Sequence, residues 1–289
     1  MMTTSAPDLQ LVECPRDAMQ GILIPIPTAK KIRYLNALLR VGFHTLDFGS
    51  FVSPKAIPQL ADTPEVLAGL DLSTTHTRLL AIVANLRGAE TAAQYPAIHD
   101  IGYPFSVSET FQQRNTQRSV ADSLILVQEL QEVCIRSGKS LVVYLSMAFG
   151  NPYGDPWSPE IVEQWADTLA GYGIRTLALA DTVGSSTPET IAHLLGTLMP
   201  RLPEIQWGAH FHARPEDRQA KLAAAWDQGC RRFDTALNGY GGCPFAKDEL
   251  VGNISTESFI TFCAGRGVKL ALDEAAWTEA QALAAEVFG

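Results

Sequence analysis

Short hydrophobic runs, rich in β-branched and aromatic residues, recur along the chain and are separated by longer segments. Their length and composition are typical of buried strands. Because a helix-length segment follows most of them, the pattern predicts parallel strands connected by helical crossovers. Eight such runs are present, at 9–15, 43–51, 78–85, 101–109, 140–149, 174–182, 205–212 and 231–237.

The intervening segments place apolar residues three or four positions apart, as amphipathic helices do. Three of them carry helix-start signals: Thr28 follows a proline, and Ser158 and Thr187 each precede a proline and a glutamate. The segment 272–288 is rich in alanine and glutamate and is expected to pack outside the strands as an additional C-terminal helix. The other predicted helices span 28–41, 54–70, 119–137, 159–172, 188–199 and 215–228.

Eight strand-helix units can close into a barrel or open into a doubly wound sheet. The count of eight favours the barrel, and no GxGxxG motif follows the first strand. The sequence therefore predicts an α/β protein with a (β/α)8 TIM-barrel fold. We expect a single domain over 1–289, with a core at about 8–265 and no linker or repeat that divides it.

Composition narrows the classes of partner. The 289 residues are 46% hydrophobic and carry a formal net charge of −9, with lysine and arginine scattered singly. The absence of a basic face argues against nucleic acid as a partner. Without a readable signal peptide or long apolar run, we expect a soluble cytoplasmic protein that does not bind membranes. Five widely spaced cysteines without a CxxC pair indicate reduced thiols. A homo-oligomer and a monomer both remain open.

Charged and polar residues follow the first predicted strand. In a barrel of this type the functional side chains lie at the carboxyl ends of the strands. Glu13, Arg16, Asp17 and Gln20 occupy that position. A carboxylate beside a guanidinium there predicts either a functional site or an ordinary salt bridge, and these residues alone do not separate the two.

Two histidines end the seventh predicted strand. The i, i+2 spacing of His210 and His212 directs both imidazoles to the same side of a strand. If that side faces the mouth of the barrel, both rings can reach one metal ion. The alternating pair therefore favours metal ligation over a buried structural histidine.

Loops with glycine follow two further strands. The segment 238–244 contains Cys243 and leads to Asn253, and its glycines permit close approach of the backbone to a ligand, although an ordinary turn with a passive thiol fits equally well. After the sixth strand, Asp181 is either a substrate contact or the cap of the next helix. One aspartate, two histidines and one asparagine form a mixed oxygen and nitrogen ligand set, which suits Mg²⁺ or Mn²⁺, and also Co²⁺ or Zn²⁺, better than a structural zinc site.

Six separated blocks of the sequence match a known family in order and spacing. They resemble 3-hydroxy-3-methylglutaryl-CoA (HMG-CoA) lyases and, more broadly, the metal-dependent aldolase-type lyases and Claisen condensases of the same barrel. The resemblance implies a carbon-carbon lyase that cleaves a 3-hydroxy-acyl-CoA by a retro-aldol reaction, producing acetyl-CoA and acetoacetate from HMG-CoA. The blocks, within residues 9–260, are ECPRDAMQ, GSFVSPKAIPQLADTPEVL, NPYGDPWSPE, LADTVGSSTPETI, HFH and GYGGCPFAKDELVGNISTE.

The resemblance also implies roles for individual residues. It places Arg16 at the thioester carbonyl and Cys243 in the family's mobile loop as a proton donor. Either Asp17 or His210 would be the base that removes the hydroxyl proton. The implied ligands of a divalent cation, Mg²⁺ or Mn²⁺, are Asp17, His210, His212 and Asn253.

Further positions match the family as substrate contacts or as support for the metal site. Gln20, Asp181 and Thr182 are expected to contact substrate. Asp47 stands where the lyases place a glutamate, and we expect it to support the metal site with a shorter side chain.

Several strand-end residues depart from the lyase pattern. Ala213 and Arg214 follow the histidine pair, where the family has a polar residue and a run of small residues, and Asn151 replaces a cysteine. Substrate identity is set at such positions. The sequence therefore supports metal-assisted retro-aldol chemistry more firmly than it supports one particular acyl-CoA.

Other functions compete with this interpretation. A related lyase or aldolase would act on another 3-hydroxy-acyl-CoA, or on a 4-hydroxy-2-oxo acid whose carboxylate Arg214 would bind. A Claisen condensase would use the same metal site. A non-catalytic ligand-binding barrel is disfavoured because all the residues that the chemistry needs are present.

Overall fold

The computed structural model describes residues 9–242 and 251–289. Within these ranges, eight parallel strands pair in chain order and close into a barrel, with the last strand beside the first. The predicted (β/α)8 TIM barrel is therefore confirmed. The strands are β1 (Gln10–Glu13), β2 (Thr45–Ser50), β3 (Arg78–Ile82), β4 (Ile98–Ser106), β5 (Ser140–Ser146), β6 (Thr176–Asp181), β7 (Gln206–Phe211) and β8 (Arg232–Thr235).

Helices connect successive strands and cover the barrel. Among the described residues they are α1 (Pro15–Gln20), α2 (Thr28–Val41), α3 (Thr63–Ala68), α4 (Leu86–Ala93), α5 (Glu109–Thr116), α6 (Val120–Ser137), α7 (Pro159–Gly171), α8 (Pro188–Arg201), α9 (Arg218–Asp227), α10 (Thr256–Gly265) and α11 (Glu274–Phe288). In these ranges, no helix has the length and apolar character needed to cross a membrane.

The barrel has a packed interior and a larger hydrophobic layer outside it. Because side chains alternate across a strand, one set faces inward and the other faces the helices. The large outer cluster joins strand residues to helix residues. A separate small cluster consists only of strand side chains, from β3, β5 and β6: Leu80, Ile82, Val142, Tyr144 and Ala178. Arg232 also lies inside, next to Gly208, where a Cβ atom would come within 2.7 Å of the Arg232 Nη1 atom.

The sequence located the strands better than the helices. Each of the eight predicted runs overlaps one strand, and the additional C-terminal helix is present as α11, which packs on α2 through the edge-to-face rings of Tyr34 and Phe288. The helix predicted over 54–70 is wrong. A 3-10 turn at Pro58–Leu60 and the short α3 replace it, because Pro58 and Pro64 lack backbone N–H groups and disfavour helical geometry at the preceding residues.

The predicted helix starts have mixed outcomes. Thr187 caps α8 in a reciprocal capping box with Thr190, as its hydroxyl predicts. Ser158 precedes α7 but makes no capping hydrogen bond, and Thr28 is the first residue of α2 rather than its cap. The Thr28 hydroxyl instead donates to Asp62, 2.7 Å away. The short helices α1, α4, α5 and α10 were not predicted, because six to ten residues show too little periodicity.

Candidate active site

A cavity of about 120 Å³ opens at the carboxyl end of the barrel strands. One side is polar and is built mainly from α1 and the end of β7. The apolar part of the lining comes mainly from the segments that follow β2 and β3, from β4 and from α5. The lining residues are Arg16, Asp17, Gln20, Val52, Ala56, Ile57, Ile82, Pro104, Phe111, Asn115, Tyr144, Ser146, Ala180, Thr182, His210 and His212. Arg16 is the only lysine or arginine among these described residues.

Three of the predicted metal ligands converge on this cavity. Asp17, His210 and His212 each offer one ligand atom, and these atoms all lie within 4.8 Å of one another. The two imidazole centroids are 5.4 Å apart, so both rings do lie on the same side of the chain, as the i, i+2 spacing predicts. The His212 Nε2 atom lies 4.0 Å from the Asp17 carboxylate.

Asn253 completes the group. Its Nδ2 atom donates to Asp17 at 2.7 Å and to the carbonyl of Tyr240 at 2.9 Å, which identifies Oδ1 as the remaining acceptor. A backbone bridge pairs Asn253 with His212 in antiparallel fashion. The segment after β8 is thereby attached to the end of β7, which brings a residue 41 positions further along the chain to the histidine pair.

Two buried polar atoms in this group, His212 Nε2 and Asn253 Oδ1, have no hydrogen-bond partner among the described residues. His212 Nδ1 lies 2.9 Å from the carbonyl of Thr182, so Nδ1 carries the proton and Nε2 presents a lone pair. Burying an unpaired acceptor is costly. Two such acceptors beside a carboxylate form a donor set that fits a divalent cation with mixed nitrogen and oxygen ligands.

The charge states of Asp17 and His212 suit ligation. Burial alone would raise the pKa of Asp17, but Arg16 and the two histidines hold it below its ordinary value. Burial, followed by the neighbouring His210, lowers the pKa of His212, which keeps the ring neutral. A carboxylate and a neutral imidazole are the forms in which these side chains bind metal.

Arg16 is held firmly beside Asp17 and the two histidines. Its Nε and Nη2 atoms donate to both oxygens of Asp47 at 2.7 to 3.2 Å, and its Nη1 atom donates to Asp17 and to Gln20. Burial raises the pKa of Asp47 to about 6, although the Arg16 guanidinium acts in the opposite direction. Asp47 therefore fixes the orientation of Arg16. Gln20 bridges Arg16 and Asp17 through its amide, 2.6 Å from the Asp17 carboxylate.

His210 is oriented by residues that the sequence analysis did not single out. Its Nδ1 atom lies 3.3 Å from Asp234, whose other oxygen accepts from Arg232 at 2.8 Å. Burial lowers the pKa of His210, but the hydrogen bond and charge of Asp234 outweigh it and raise the pKa above its ordinary value. Arg232 and Asp234 alternate on the buried strand β8, so charged residues at i and i+2 were an available signal for an interior network.

The remaining predicted site residues have different positions. Thr182 lines the cavity. Asp181 does not line it: its carboxylate is fully buried and is bonded to Lys221 and Ser186, so the expectation of a substrate contact is corrected. Arg214 is exposed and does not line the cavity. Cys243 lies outside the described residues.

Comparison with known proteins agrees with this geometry. The profile of the HMGL-like family matches residues 9–283. The chain is 33% identical over 268 residues to (R)-citramalyl-CoA lyase of Chloroflexus aurantiacus, covering 90% of this chain and 84% of that one. It is 33% identical over 246 residues to hydroxymethylglutaryl-CoA lyase YngG of Bacillus subtilis, covering 85% and 81%.

A solved structure has the same fold. An HMG-CoA lyase from Acinetobacter baumannii, in complex with coenzyme A and 3-methylmalate, superposes with a TM-score of 0.90 at 32% identity and covers 99% of this chain and 93% of that one. The chain therefore belongs to the HMGL-like family and is a carbon-carbon lyase.

Proposed function

We propose that this protein is a divalent-metal-dependent lyase that cleaves a 3-hydroxy-acyl-CoA by a retro-aldol reaction, with HMG-CoA as its substrate and acetyl-CoA and acetoacetate as its products. The observation that supports this most directly is the convergence of Asp17, His210, His212 and Asn253 beside the guanidinium of Arg16. The coenzyme A in the related Acinetobacter baumannii structure is consistent with a thioester substrate.

Asp17, His210, His212 and Asn253 would hold the cation, for which we propose Mg²⁺ or Mn²⁺. When bound there, a divalent cation would act as a Lewis acid that lowers the pKa of the substrate hydroxyl and orients it. The unpartnered Nε2 atom of His212 and Oδ1 atom of Asn253 are the features of this chain that suit such an ion. The carboxylate of Asp17 supplies the negative charge.

Arg16 would bind the oxygen of the thioester carbonyl. Bond cleavage leaves an enolate on the acetyl thioester, so negative charge grows on that oxygen in the transition state. A guanidinium already fixed by Asp47 and Gln20 stabilises this charge without having to reorient. Gln20 and Thr182 line the same cavity and would contact the rest of the acyl group.

Two proton transfers complete the reaction. Asp17 would accept the hydroxyl proton, or His210 would do so if its Nε2 atom is not a cation ligand, and the C–O bond would become the carbonyl of acetoacetate as the adjacent C–C bond breaks. The electron pair of that bond forms the enolate of acetyl-CoA. Cys243, which the family resemblance implicates, would then donate a proton to the enolate carbon.

The cavity limits the kind of acyl group. Its lining includes the apolar side chains of Val52, Ile57, Ile82 and Phe111, while the only guanidinium on the described lining is Arg16. This arrangement suits a substrate with one chelating hydroxy-carboxylate end and a small apolar substituent at the carbinol carbon. A 4-hydroxy-2-oxo acid that relies on Arg214 is disfavoured, because Arg214 does not line the cavity.

A second candidate substrate is (R)-citramalyl-CoA. The relative from Chloroflexus aurantiacus is named for it, and the related Acinetobacter baumannii structure is in complex with 3-methylmalate, an isomer of citramalate with its methyl group on the carbon beside the carbinol. Its free carboxylate is one methylene closer to the carbinol carbon, and its cleavage would give pyruvate in place of acetoacetate.

Product analysis tests the proposal. Purified protein is treated with EDTA, reloaded with Mg²⁺ or Mn²⁺, and incubated separately with HMG-CoA and (R)-citramalyl-CoA. We expect acetyl-CoA and acetoacetate from HMG-CoA, and no turnover before metal is restored. If (R)-citramalyl-CoA gives pyruvate and HMG-CoA is not cleaved, then (R)-citramalyl-CoA is the substrate and the proposed one is wrong. Equal turnover in the metal-free protein would refute the proposed mechanism.

A further inference from the structure

A buried lysine lies directly behind the histidine pair and takes no part in the chemistry proposed above. Lys221 is on α9, is 3% exposed, and does not line the cavity. Its ammonium group donates to the Asp181 carboxylate at 2.7 Å, to the Gly184 carbonyl at 3.1 Å and to the His212 carbonyl at 3.0 Å. An ammonium has three donors, and all three are used.

We propose that Lys221 is a positioning residue for the cation site, holding the ends of β6 and β7 together so that His212 presents Nε2 to the metal. The inference rests on the proposed function in so far as it assumes that His212 binds a cation. It adds a residue outside the six matching sequence blocks and outside the cavity.

The three acceptors lie on the two chain segments that determine the orientation of His212. The imidazole is oriented by its Nδ1 contact with the Thr182 carbonyl, 2.9 Å away. Thr182 lies between Asp181 and Gly184, both bonded to Lys221, while the third acceptor is the carbonyl of His212 itself. A single ammonium thus connects the group that directs the ring to the backbone that carries the ring.

The position of its three acceptors, rather than burial of the charge itself, distinguishes Lys221. Removing an ammonium and a carboxylate from water costs several kcal/mol, and an apolar side chain of similar volume often serves stability equally well. The Asp181 carboxylate also accepts from the backbone N–H and hydroxyl of Ser186, so this network fixes the loop after β6. Residues that orient a metal-binding histidine typically contribute 10- to 100-fold to metal affinity.

The chain contains a matched control. Lys31 on α2 is also 3% exposed, and it donates to the Asp62 carboxylate at 2.7 Å and to the Gln59 carbonyl. Its partners do not ligate the proposed cation and Lys31 does not line the cavity. Replacing Lys31 therefore removes an equally buried ammonium, paired with a carboxylate that is 23% exposed, without releasing the segments that hold His212.

The test measures Mn²⁺ binding to the metal-free protein in the absence of substrate, with electron paramagnetic resonance as the readout. The variants are Lys221→Met, Lys31→Met and the double variant Asp181→Asn with Lys221→Met. The double variant leaves no unpaired buried charge, so the test can still be carried out if Lys221→Met alone does not fold. We expect the Kd for Mn²⁺ to rise by about 10- to 100-fold in both Lys221 variants and by less than about 2-fold in Lys31→Met.

The outcomes separate this inference from the proposed function. Wild-type affinity in a folded Lys221 variant would overturn the inference, as would an equal loss of affinity in Lys31→Met. Failure of the wild-type protein itself to bind Mn²⁺ would instead overturn the proposed metal site. A loss confined to the Lys221 variants, with His212→Ala as the reference for a missing ligand, supports the inference.

Discussion

Replacing Glu13 with glutamine should change how the stability of the protein depends on pH. Glu13 ends β1, is fully buried, and accepts hydrogen bonds from the Leu237 backbone N–H at 2.7 Å and from the Thr256 hydroxyl at 2.5 Å. These contacts join β1 to the turn after β8 and to the start of α10. Burial is the largest influence and raises the pKa of Glu13 from 4.5 to about 8, although both hydrogen bonds act to lower it.

The sign and size of the effect follow from that pKa. Between pH 4.5 and 8 the folded protein keeps a proton on Glu13 that the unfolded chain releases, so the free energy of unfolding falls as pH rises through this window. A shift of this size corresponds to at most about 5 kcal/mol, because each pKa unit is worth about 1.4 kcal/mol. Water entry and local relaxation reduce this figure, and we expect about 2–4 kcal/mol between pH 5 and pH 8.

Glutamine imitates the neutral carboxyl group and cannot ionise. Its Oε1 atom can still accept from Leu237, and its amide can donate to the Thr256 hydroxyl, whose single proton is then free to donate to Thr235, 2.9 Å away. Glu13→Gln should therefore have nearly wild-type stability at pH 5 and exceed the wild type by about 2–4 kcal/mol at pH 8.

Urea denaturation of both proteins at pH 5, 6, 7 and 8 measures this difference. Glu129→Gln, which alters an exposed glutamate on α6, serves as the control and should give a curve parallel to the wild type. Parallel curves for Glu13→Gln and the wild type would show that Glu13 ionises normally in the folded protein, and the reasoning from its burial would be wrong.

The remaining predictions concern the proposed active site. His212→Ala should weaken Mn²⁺ binding by more than about 100-fold and abolish turnover together, because it removes a ligand atom; full activity in metal-depleted buffer would contradict this. Asp47→Asn should lower kcat/KM by about 10- to 100-fold while changing the Kd for Mn²⁺ little, because it releases Arg16 rather than a metal ligand. If calorimetry shows an equally large loss of Mn²⁺ affinity, Asp47 holds the cation site instead. Cys243→Ser should retain Mn²⁺ binding and slow kcat by roughly one to three orders of magnitude, and an unchanged kcat would exclude Cys243 as the proton donor.

Much of the site was predictable because it depends on local spacing. The alternation of His210 and His212 directs both rings to one side of any extended strand, whatever surrounds it. The position of Asp17 just after β1 places it at the carboxyl end of the barrel once the barrel is accepted. The roles themselves came from the resemblance to the lyase family rather than from these spacings.

The partners of these residues were not predictable in the same way. Asp181 looked like a substrate contact or a helix cap, yet its carboxylate is bonded to Lys221, 40 positions further along the chain. The hydrophobic pattern places Arg232 and Asp234 only within a strand, although Asp234 orients His210. The spacing of residues along the chain does not identify which buried charged side chains form ion pairs or hydrogen bonds with each other.

By itself the sequence determined that eight strands alternate with helices and that polar side chains gather at one end of them. These features depend on hydrophobic periodicity, which is a property of neighbouring residues. Only the tertiary structure decided which side of each strand faces the cavity, that Asn253 lies beside Asp17, and that Arg16 is held by Asp47. Those contacts form because closing the barrel brings distant segments together in a buried interior where every charge requires a partner.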